Sequence, residues 1–179
     1  MSRSKILFQL SGSIACYKAC NLISKLVQDG HEVQAVATDS ALRFVGQATL
    51  EGLTRKSVFT NLFEPGQMMS HIHLAKWADL AIVCPATADT INGLAHGQAS
   101  DPIGTLFLAY DLKSKTFLIA QAMNQTMLSH PATQASLGIL ESWGVRIMPV
   151  GIGSQACGDM GEGRLLEPET LFEEMSRFL

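Results

Sequence analysis

The chain has 179 residues, a length typical of one domain with a substantial buried core. Its formal net charge is −3, so no basic field favours nucleic acid as a partner, and no apolar run is long enough to span a membrane. Hydrophobic residues make up 47% of the chain and charged residues only 16%, which predicts that part of the surface is buried against further copies of the chain.

The N-terminal part begins with a strand–helix–strand pattern. Residues 5–11 form a short apolar run before Gly12, which predicts a buried strand followed by a tight turn. The apolar stripe of a helix follows over residues 16–27, and Gly30 suits a left-handed cap at its end. Residues 32–38 predict a second strand, so the chain opens with a parallel crossover unit.

Strands and helices alternate along the rest of the chain. The further predicted strands cover residues 79–85, 115–122 and 145–150, and the predicted helices cover residues 87–97, 102–110, 132–144 and 167–179. Near-continuous apolar strands imply a parallel sheet covered on both faces. We therefore predict an α/β fold, a doubly wound and mostly parallel sheet of the Rossmann or flavodoxin type, in a single domain over residues 1–179.

The ligand of a doubly wound sheet binds beyond the carboxyl ends of its strands. In this chain those ends carry small and hydroxyl residues, namely residues 11–13, 38–40, 85–87 and 122–124. Gly12 and Ser13 at a helix start can present backbone N–H groups to a phosphate, and Thr38 and Ser40 offer a second such place. There is neither a G-x-G-x-x-G motif nor a P-loop lysine pattern, so a standard dinucleotide or Walker site is disfavoured.

The cysteines and histidines carry no metal-site pattern. Four cysteines do not form a disulfide framework in a chain of this size, so we expect free thiols and a reducing, cytoplasmic setting. Cys16 and Cys20 are four residues apart, but both fall on a helical apolar stripe, and no further ligand group is near. His71 and His73 alternate as on a strand and so face opposite sides, and spacing alone does not choose between them.

Four segments occur in order and at suitable intervals: GSIACYK at residues 12–18, HIHLAKWADLAIVCPATADTINGLAHG at 71–97, AMNQTM at 122–127 and ACGDMGEGR at 156–164. Together they resemble the flavin-dependent cysteine decarboxylases over almost the whole chain. The resemblance implies FMN as the cofactor and assembly into homotrimers, which in some members assemble further into homododecamers. It is greatest to the branch that converts 4′-phosphopantothenoylcysteine to 4′-phosphopantetheine in coenzyme A biosynthesis.

The same resemblance assigns catalytic roles to matching positions. His71 matches the active-site histidine, which decides between His71 and His73. Asn124 matches the asparagine that holds the substrate carboxylate. Cys157 matches the cysteine of a flexible flap, expected here at about residues 151–167.

The remaining matched positions are expected to bind the substrate or FMN. Met127 belongs to the substrate-binding motif of Asn124, and Lys76 is a weaker candidate for the substrate phosphate. The expected FMN contacts are Gly12, Ser13, Ile14, Thr38, Ser40, Thr87, Ala88, Asp89, Thr90 and Ala122. These contacts fall on the strand ends singled out above on topological grounds.

The implied chemistry explains why a thiol lies in a glycine-rich polar stretch. Carbon dioxide leaves easily only if the carbanion that remains is delocalised, so the resemblance implies that FMN would first oxidise the thiol-bearing carbon to a thioaldehyde. Loss of carbon dioxide then gives an enethiolate, with His71 assisting by proton transfer. Cys157 would protonate the enethiolate, since a thiol can donate a proton in the working pH range and the glycines allow the flap to close over the substrate.

Three other functions stay open at this point. Peptidyl-cysteine decarboxylases, which make enethiol peptides, share the histidine and asparagine but lack a match to Cys157. Phosphatase-binding regulators of this fold have long acidic tails, and flavin prenyltransferases have a basic phosphate cluster; we find neither here. Four positions depart from the family pattern, at Gln121, Leu128, Asp89 and Pro102, and the first two flank the predicted carboxylate-binding turn.

Overall fold

The computed structural model describes residues 3–64, 66–156 and 158–179. Its strands are β1 (Lys5–Leu10), β2 (Glu32–Ala37), β3 (Leu80–Ala86), β4 (Thr116–Gln121), β5 (Arg146–Ile147), β6 (Gly151–Ser154) and β7 (Met160–Arg164). Its helices are α1 (Cys16–Gln28), α2 (Asp39–Leu42), α3 (Gln47–Thr54), α4 (Ser70–Trp77), α5 (Ala88–Ala95), α6 (Pro102–Ala109), α7 (Gln125–Ser129), α8 (Pro131–Ser142) and α9 (Pro168–Met175).

The main sheet is parallel and has the strand order β2-β1-β3-β4-β5. Successive residues of the interior strand β1 point to opposite faces, so Phe8 packs into one core and Leu7 into the other, both fully buried. Helices α1, α3 and α9 cover the first face, and α4, α5, α6 and α8 cover the second. The prediction of a doubly wound, mostly parallel sheet is confirmed.

Two local predictions were wrong. The strand expected over residues 145–150 is reduced to Arg146 and Ile147 at the edge of the sheet. His71 and His73 lie on helix α4 rather than on a strand. Residues two positions apart on a helix are separated by about 200° around its axis, so the two histidines still face different sides.

Residues 151–154 and 160–164 form a second, antiparallel sheet, the hairpin β6–β7. The short helices α2, α3 and α7 had no clear periodic pattern in the sequence. Within the described residues, no helix combines the length and the apolar character needed to cross a bilayer.

Helix α4 is fixed to the sheet at its C-terminal end. The Lys115 ammonium, just before β4, donates hydrogen bonds to the carbonyl oxygens of Ala75 at 3.0 Å, Lys76 at 2.8 Å and Ala78 at 2.7 Å. A cation at this end also complements the helix dipole. The last turn of α4, with the exposed side chain of Lys76, therefore lies near the amino ends of the strands.

Candidate active site

The loops that follow the first four parallel strands meet at one edge of the sheet. The Ser11 hydroxyl donates to the Pro85 carbonyl at 2.7 Å and accepts from the Thr87 N–H at 3.0 Å, which joins the ends of β1 and β3. The Ala122 N–H donates to the Ala86 carbonyl at 2.9 Å, which joins the ends of β3 and β4. The strand ends chosen from the sequence are thus brought together.

Gly12 is required by the close approach of two of these loops. A Cβ at Gly12 would lie 2.5 Å from the Ser40 Cβ, closer than real side chains come. Among the described residues, the backbone N–H groups of Ser13 and Ile14, just before α1, have no hydrogen-bond acceptor. Free N–H groups at the start of a 13-residue helix are donors of the kind that bind anionic oxygens.

The predicted threonines cap helices at the same edge. The Thr38 hydroxyl oxygen accepts from the Ala41 N–H at 3.1 Å, and the Thr87 hydroxyl oxygen accepts from the Thr90 N–H at 3.3 Å. The hydroxyls of Thr87 and Thr90 are also within hydrogen-bond distance of each other, at 3.1 Å. Ala88 is buried and Asp89 is exposed on the first turn of α5.

A cleft of about 440 Å³ opens between the start of α1, the β4–α7 turn and the hairpin β6–β7. Of the predicted residues that the structure describes, four line it: Ser13, Ile14, Ala122 and Asn124. The apolar side chains of Ile14 and Tyr17 are 58% and 59% exposed beside it. The cleft therefore combines a free N–H pair, an amide side chain and apolar walls.

Asn124 is held in one orientation by the helix that it caps. Its Oδ1 accepts from the Met127 N–H at 2.8 Å, as an N-cap residue does. Its Nδ2 has no partner among the described residues and remains a hydrogen-bond donor at the cleft. The Met127 side chain is 47% exposed. Of the two, Asn124 lines the cleft and Met127 does not.

The hairpin is docked against the Asn124 turn by glycines. The Met123 N–H donates to the Gly163 carbonyl at 3.0 Å, and a Cβ at Gly163 would collide with the Met123 carbonyl oxygen. Gly163 also has a φ of +113°, which disfavours other residues. A Cβ at Gly161 would collide with the Gln125 side chain. These glycines permit close docking, which the sequence alone did not predict.

Lys18 is a buried cation beside the cleft that sequence reasoning missed. It is 6% exposed, and its ammonium donates to the Leu165 carbonyl at 3.2 Å and to Glu167 Oε1 at 2.7 Å. Arg164 also contacts Glu167 Oε1, at 3.4 Å. The hydrogen bond from Lys18 and the charges of both cations lower the pKa of the Glu167 carboxyl. The available signal was a lysine at a core-facing position of the apolar stripe of α1.

His71 is half-buried on α4 and does not line the cleft. It lies one helical turn before Ala75, which packs into the core beneath α4. Its Nδ1 is buried and has no partner among the described residues. Cys157 lies outside the described residues, although its neighbours Gln155 and Ala156 line the cleft.

Two side chains beside the Asn124 turn differ from the family pattern, and both face away from the cleft. The Gln121 side chain donates to the Met148 carbonyl at 3.3 Å, and Leu128 packs into the second core. Neither residue lines the cleft. Both positions therefore act on the site only through the turn between them.

The described cysteines are free and are structural rather than reactive. Burial raises the pKa of Cys20 to about 11, and it raises the pKa of Cys16 and of Cys84 as well. Such thiols carry little thiolate at neutral pH. Within residues 3–64, 66–156 and 158–179, no group of three His, Cys, Asp or Glu side chains is placed to hold a metal ion.

Comparison with known families decides the assignment. The Flavoprotein family matches the chain over residues 1–179. The chain belongs to the Flavoprotein family. This Flavoprotein chain is 43% identical over 173 residues to the coenzyme A biosynthesis bifunctional protein CoaBC of Bacillus subtilis (strain 168), covering 96% of this chain and 42% of the relative. It is 39% identical over 175 residues to CoaBC of Escherichia coli (strain K12), covering 97% of this chain and 42% of the relative.

Solved structures of similar proteins agree with this family assignment. A PPC decarboxylase with a cysteine-to-serine substitution, complexed with pantothenoylaminoethenethiol, superposes with a TM-score of 0.89 at 29% identity, over 99% of this chain and 98% of the other. The FMN-binding protein AtHal3 superposes with a TM-score of 0.85 at 28% identity, over 99% and 97%. The family predicted from the sequence is confirmed, while the chain spans about two fifths of the length of the curated relatives it matches.

Proposed function

We propose that this Flavoprotein chain is an FMN-dependent lyase that decarboxylates 4′-phosphopantothenoylcysteine to 4′-phosphopantetheine in coenzyme A biosynthesis. The observation that carries the proposal is the cleft at the carboxyl edge of the sheet, where the oriented Asn124 amide and the free N–H groups of Ser13 and Ile14 meet. The CoaBC relatives are named for this pathway, and the PPC decarboxylase structure shares the fold over nearly the whole chain.

The residues at the strand ends fit FMN. The free N–H groups of Ser13 and Ile14 and the hydroxyl of Ser40 suit a phosphate. The gap that Gly12 leaves beside Ser40 lets the two loops come close enough to share that phosphate. Ile14 and Ala122 offer apolar surface for a ring system. When bound, FMN supplies a two-electron oxidation of the thiol-bearing carbon and later returns the two electrons.

Asn124 has a simple role in this reaction. Its Nδ2 donates a hydrogen bond to the substrate carboxylate, while the bond from Oδ1 to helix α7 prevents the amide from rotating. A neutral donor orients the carboxylate without adding a positive charge that would oppose the loss of carbon dioxide. Met127, on the exposed side of α7, is proposed to contact the substrate beside it.

His71 moves a proton and Cys157 supplies one. Because His71 Nδ1 faces the protein interior, Nε2 is the nitrogen left to exchange a proton with substrate. Cys157, in the flap proposed at about residues 151–167, protonates the enethiolate after carbon dioxide has left. The thioaldehyde and the enethiolate are both forms of the substrate.

The substrate phosphate has better candidate partners than Lys76. Lys76 is exposed near the amino ends of the strands, whereas Lys18 and Arg164 line the cleft itself. These two cations share the carboxylate of Glu167, which leaves positive charge in excess beside the cleft. We therefore favour Lys18 and Arg164 as the groups that attract the phosphate.

We further propose that the chain works as a homotrimer, alone or within a homododecamer built from trimers. His71 lies outside the cleft of its own chain, so a second copy that brings its His71 to that cleft would complete the site. Exposed apolar side chains near the cleft support such a contact, with Met160 72% and Ile152 74% exposed on the hairpin. We infer a cytoplasmic location, which the free thiols support.

The test uses the purified protein with added FMN and two substrates. A visible flavin spectrum, release of carbon dioxide from 4′-phosphopantothenoylcysteine and formation of 4′-phosphopantetheine are expected. A peptide with a C-terminal cysteine should react poorly. In the Cys157→Ser variant, the oxidised enethiol should accumulate instead of product. Efficient turnover of the peptide, or no turnover of either substrate with FMN bound, would reject the proposal.

A further inference from the structure

Gln155 joins the hairpin to helix α7 through its side chain. Its Oε1 accepts a hydrogen bond from the Gln125 N–H at 3.4 Å, and its Nε2 donates to the Glu162 carbonyl at 2.6 Å. Its own N–H donates to the Asp159 carbonyl at 2.8 Å. A single residue just after β6 thus bonds to the second arm of the hairpin and to the first residue of α7.

The bond to Gln125 acts on the turn that carries Asn124. Gln125 is the first residue of α7, so its N–H has no acceptor within the helix. Asn124 Oδ1 accepts a hydrogen bond from the Met127 N–H, and Gln155 Oε1 accepts one from the Gln125 N–H. A helix of five residues is not stable by itself, so its placement depends on such end contacts.

Gln155 also precedes the proposed proton donor in the sequence. Gln155 and Ala156 line the same cleft as Asn124, and Cys157 is the next residue. The Gly158 N–H donates back to the Gln155 carbonyl at 2.9 Å, so Gly158 is held against Gln155. The two ends of the proposed chemistry, carboxylate binding and proton delivery, are therefore connected through Gln155.

We propose that Gln155 is a positioning residue that couples the hairpin to the Asn124 turn. Through this coupling, proton delivery from the hairpin promptly follows the loss of carbon dioxide from the carboxylate bound at Asn124. This inference rests on the proposed decarboxylase function. Without Gln155, the Asn124 cap on the Met127 N–H still orients the amide that binds the carboxylate, so carbon dioxide is still lost. The hairpin is held less firmly, so the enethiolate is protonated and reduced too slowly and escapes as enethiol. The enethiol has two hydrogen atoms fewer than 4′-phosphopantetheine, and dioxygen in the buffer then takes the two electrons left on the flavin.

The test compares Gln155→Leu with a matched control, Gln134→Leu. The Gln134 side chain donates to the Leu128 carbonyl at 2.7 Å, so the control also removes one side-chain hydrogen bond to α7, at its other end and outside the cleft. Mass spectrometry measures the enethiol fraction of the products, and hydrogen exchange measures the Gln125 amide in the FMN-loaded protein.

In Gln155→Leu, we expect the Gln125 amide to exchange about fivefold faster or more, as for a lost hydrogen bond, and the enethiol fraction to rise severalfold. In Gln134→Leu, both values should stay at the wild-type level. Gln155→Glu retains an acceptor for the Gln125 N–H and should keep that amide protected from exchange. This variant also tests the inference if the leucine variant fails to fold.

The outcomes separate the inference from the proposed function. Equal enethiol fractions in the two leucine variants, or unprotected Gln125 exchange in Gln155→Glu, would overturn the role of Gln155. A wild-type protein that releases no carbon dioxide would instead overturn the decarboxylase proposal, and the exchange measurement would still decide whether Gln155 holds α7.

Discussion

Asn124 performs two tasks with two different atoms, and a single substitution can separate them. Its Oδ1 caps α7 through the 2.8 Å bond from the Met127 N–H, and its Nδ2 is the proposed donor to the substrate carboxylate. Serine at this position can still cap the helix but has no amide donor, whereas alanine can do neither. Asn124→Ser should therefore retain the fold and lose the function.

The magnitudes follow from these two bonds. Loss of an N-cap costs about 0.5–2 kcal/mol of stability, so Asn124→Ala should be destabilised by that amount and Asn124→Ser much less. A hydrogen bond to a charged group contributes about 1.5–3 kcal/mol, which corresponds to a drop in kcat/KM of roughly 10–150-fold in both variants.

Two measurements check this prediction. Urea unfolding gives the stabilities, and initial rates of carbon dioxide release from 4′-phosphopantothenoylcysteine with saturating FMN give kcat/KM. If Asn124→Ser kept wild-type kcat/KM, Nδ2 would not be the carboxylate donor. If it were as unstable as Asn124→Ala, the capping role of Oδ1 would be wrong.

Three further predictions concern polar side chains. Gln9 is fully buried, and neither polar atom of its side-chain amide is paired within the described residues. Gln9→Leu should therefore raise the free energy of unfolding by about 1–3 kcal/mol. A lower free energy of unfolding in urea would contradict this. Lys115→Met removes three bonds to the end of α4 and should lower the same free energy by about 1–3 kcal/mol, with an unchanged urea midpoint as the opposing result. The Lys18 hydrogen bond lowers the pKa of Glu167 in the folded state, so its contribution is present above the unfolded pKa near 4.5 and is lost as the pH falls through the folded value. Glu167→Gln should thus be less stable than wild type at pH 7, and thermal unfolding should show the gap closing as the pH falls below 4.5; a gap independent of pH would refute the pairing with Lys18.

The strong periodic patterns of the sequence were enough to predict the main sheet and its covering helices. Strand β3 (Leu80–Ala86) is apolar throughout because helices cover both of its sides. The periodicity of apolar residues did not predict the elements that are short or that bury few apolar side chains. The hairpin β6–β7 is rich in glycine and mostly half-exposed, so it has no clear alternation, and β5 is an edge strand of two residues.

The residues of the candidate site whose placement depends on sheet topology could be predicted from the sequence, and those placed by other long-range contacts could not. Gly12, Ser13 and Asn124 follow parallel strands, and the rule for strand ends places them at one edge. Lys18 was missed because its contacts to residues 165 and 167 are distant in sequence. The docking role of Gly163 also depends on a long-range contact, with Met123, that no local pattern reveals.

The central claim is tested most directly with 4′-phosphopantothenoylcysteine carrying a carbon-13 label in its cysteine carboxylate. The FMN-loaded protein should release one labelled carbon dioxide for each 4′-phosphopantetheine formed, and release should stop when FMN is removed and resume when it is restored. Substrate recovered with its label intact, from protein that has bound FMN, would contradict the account.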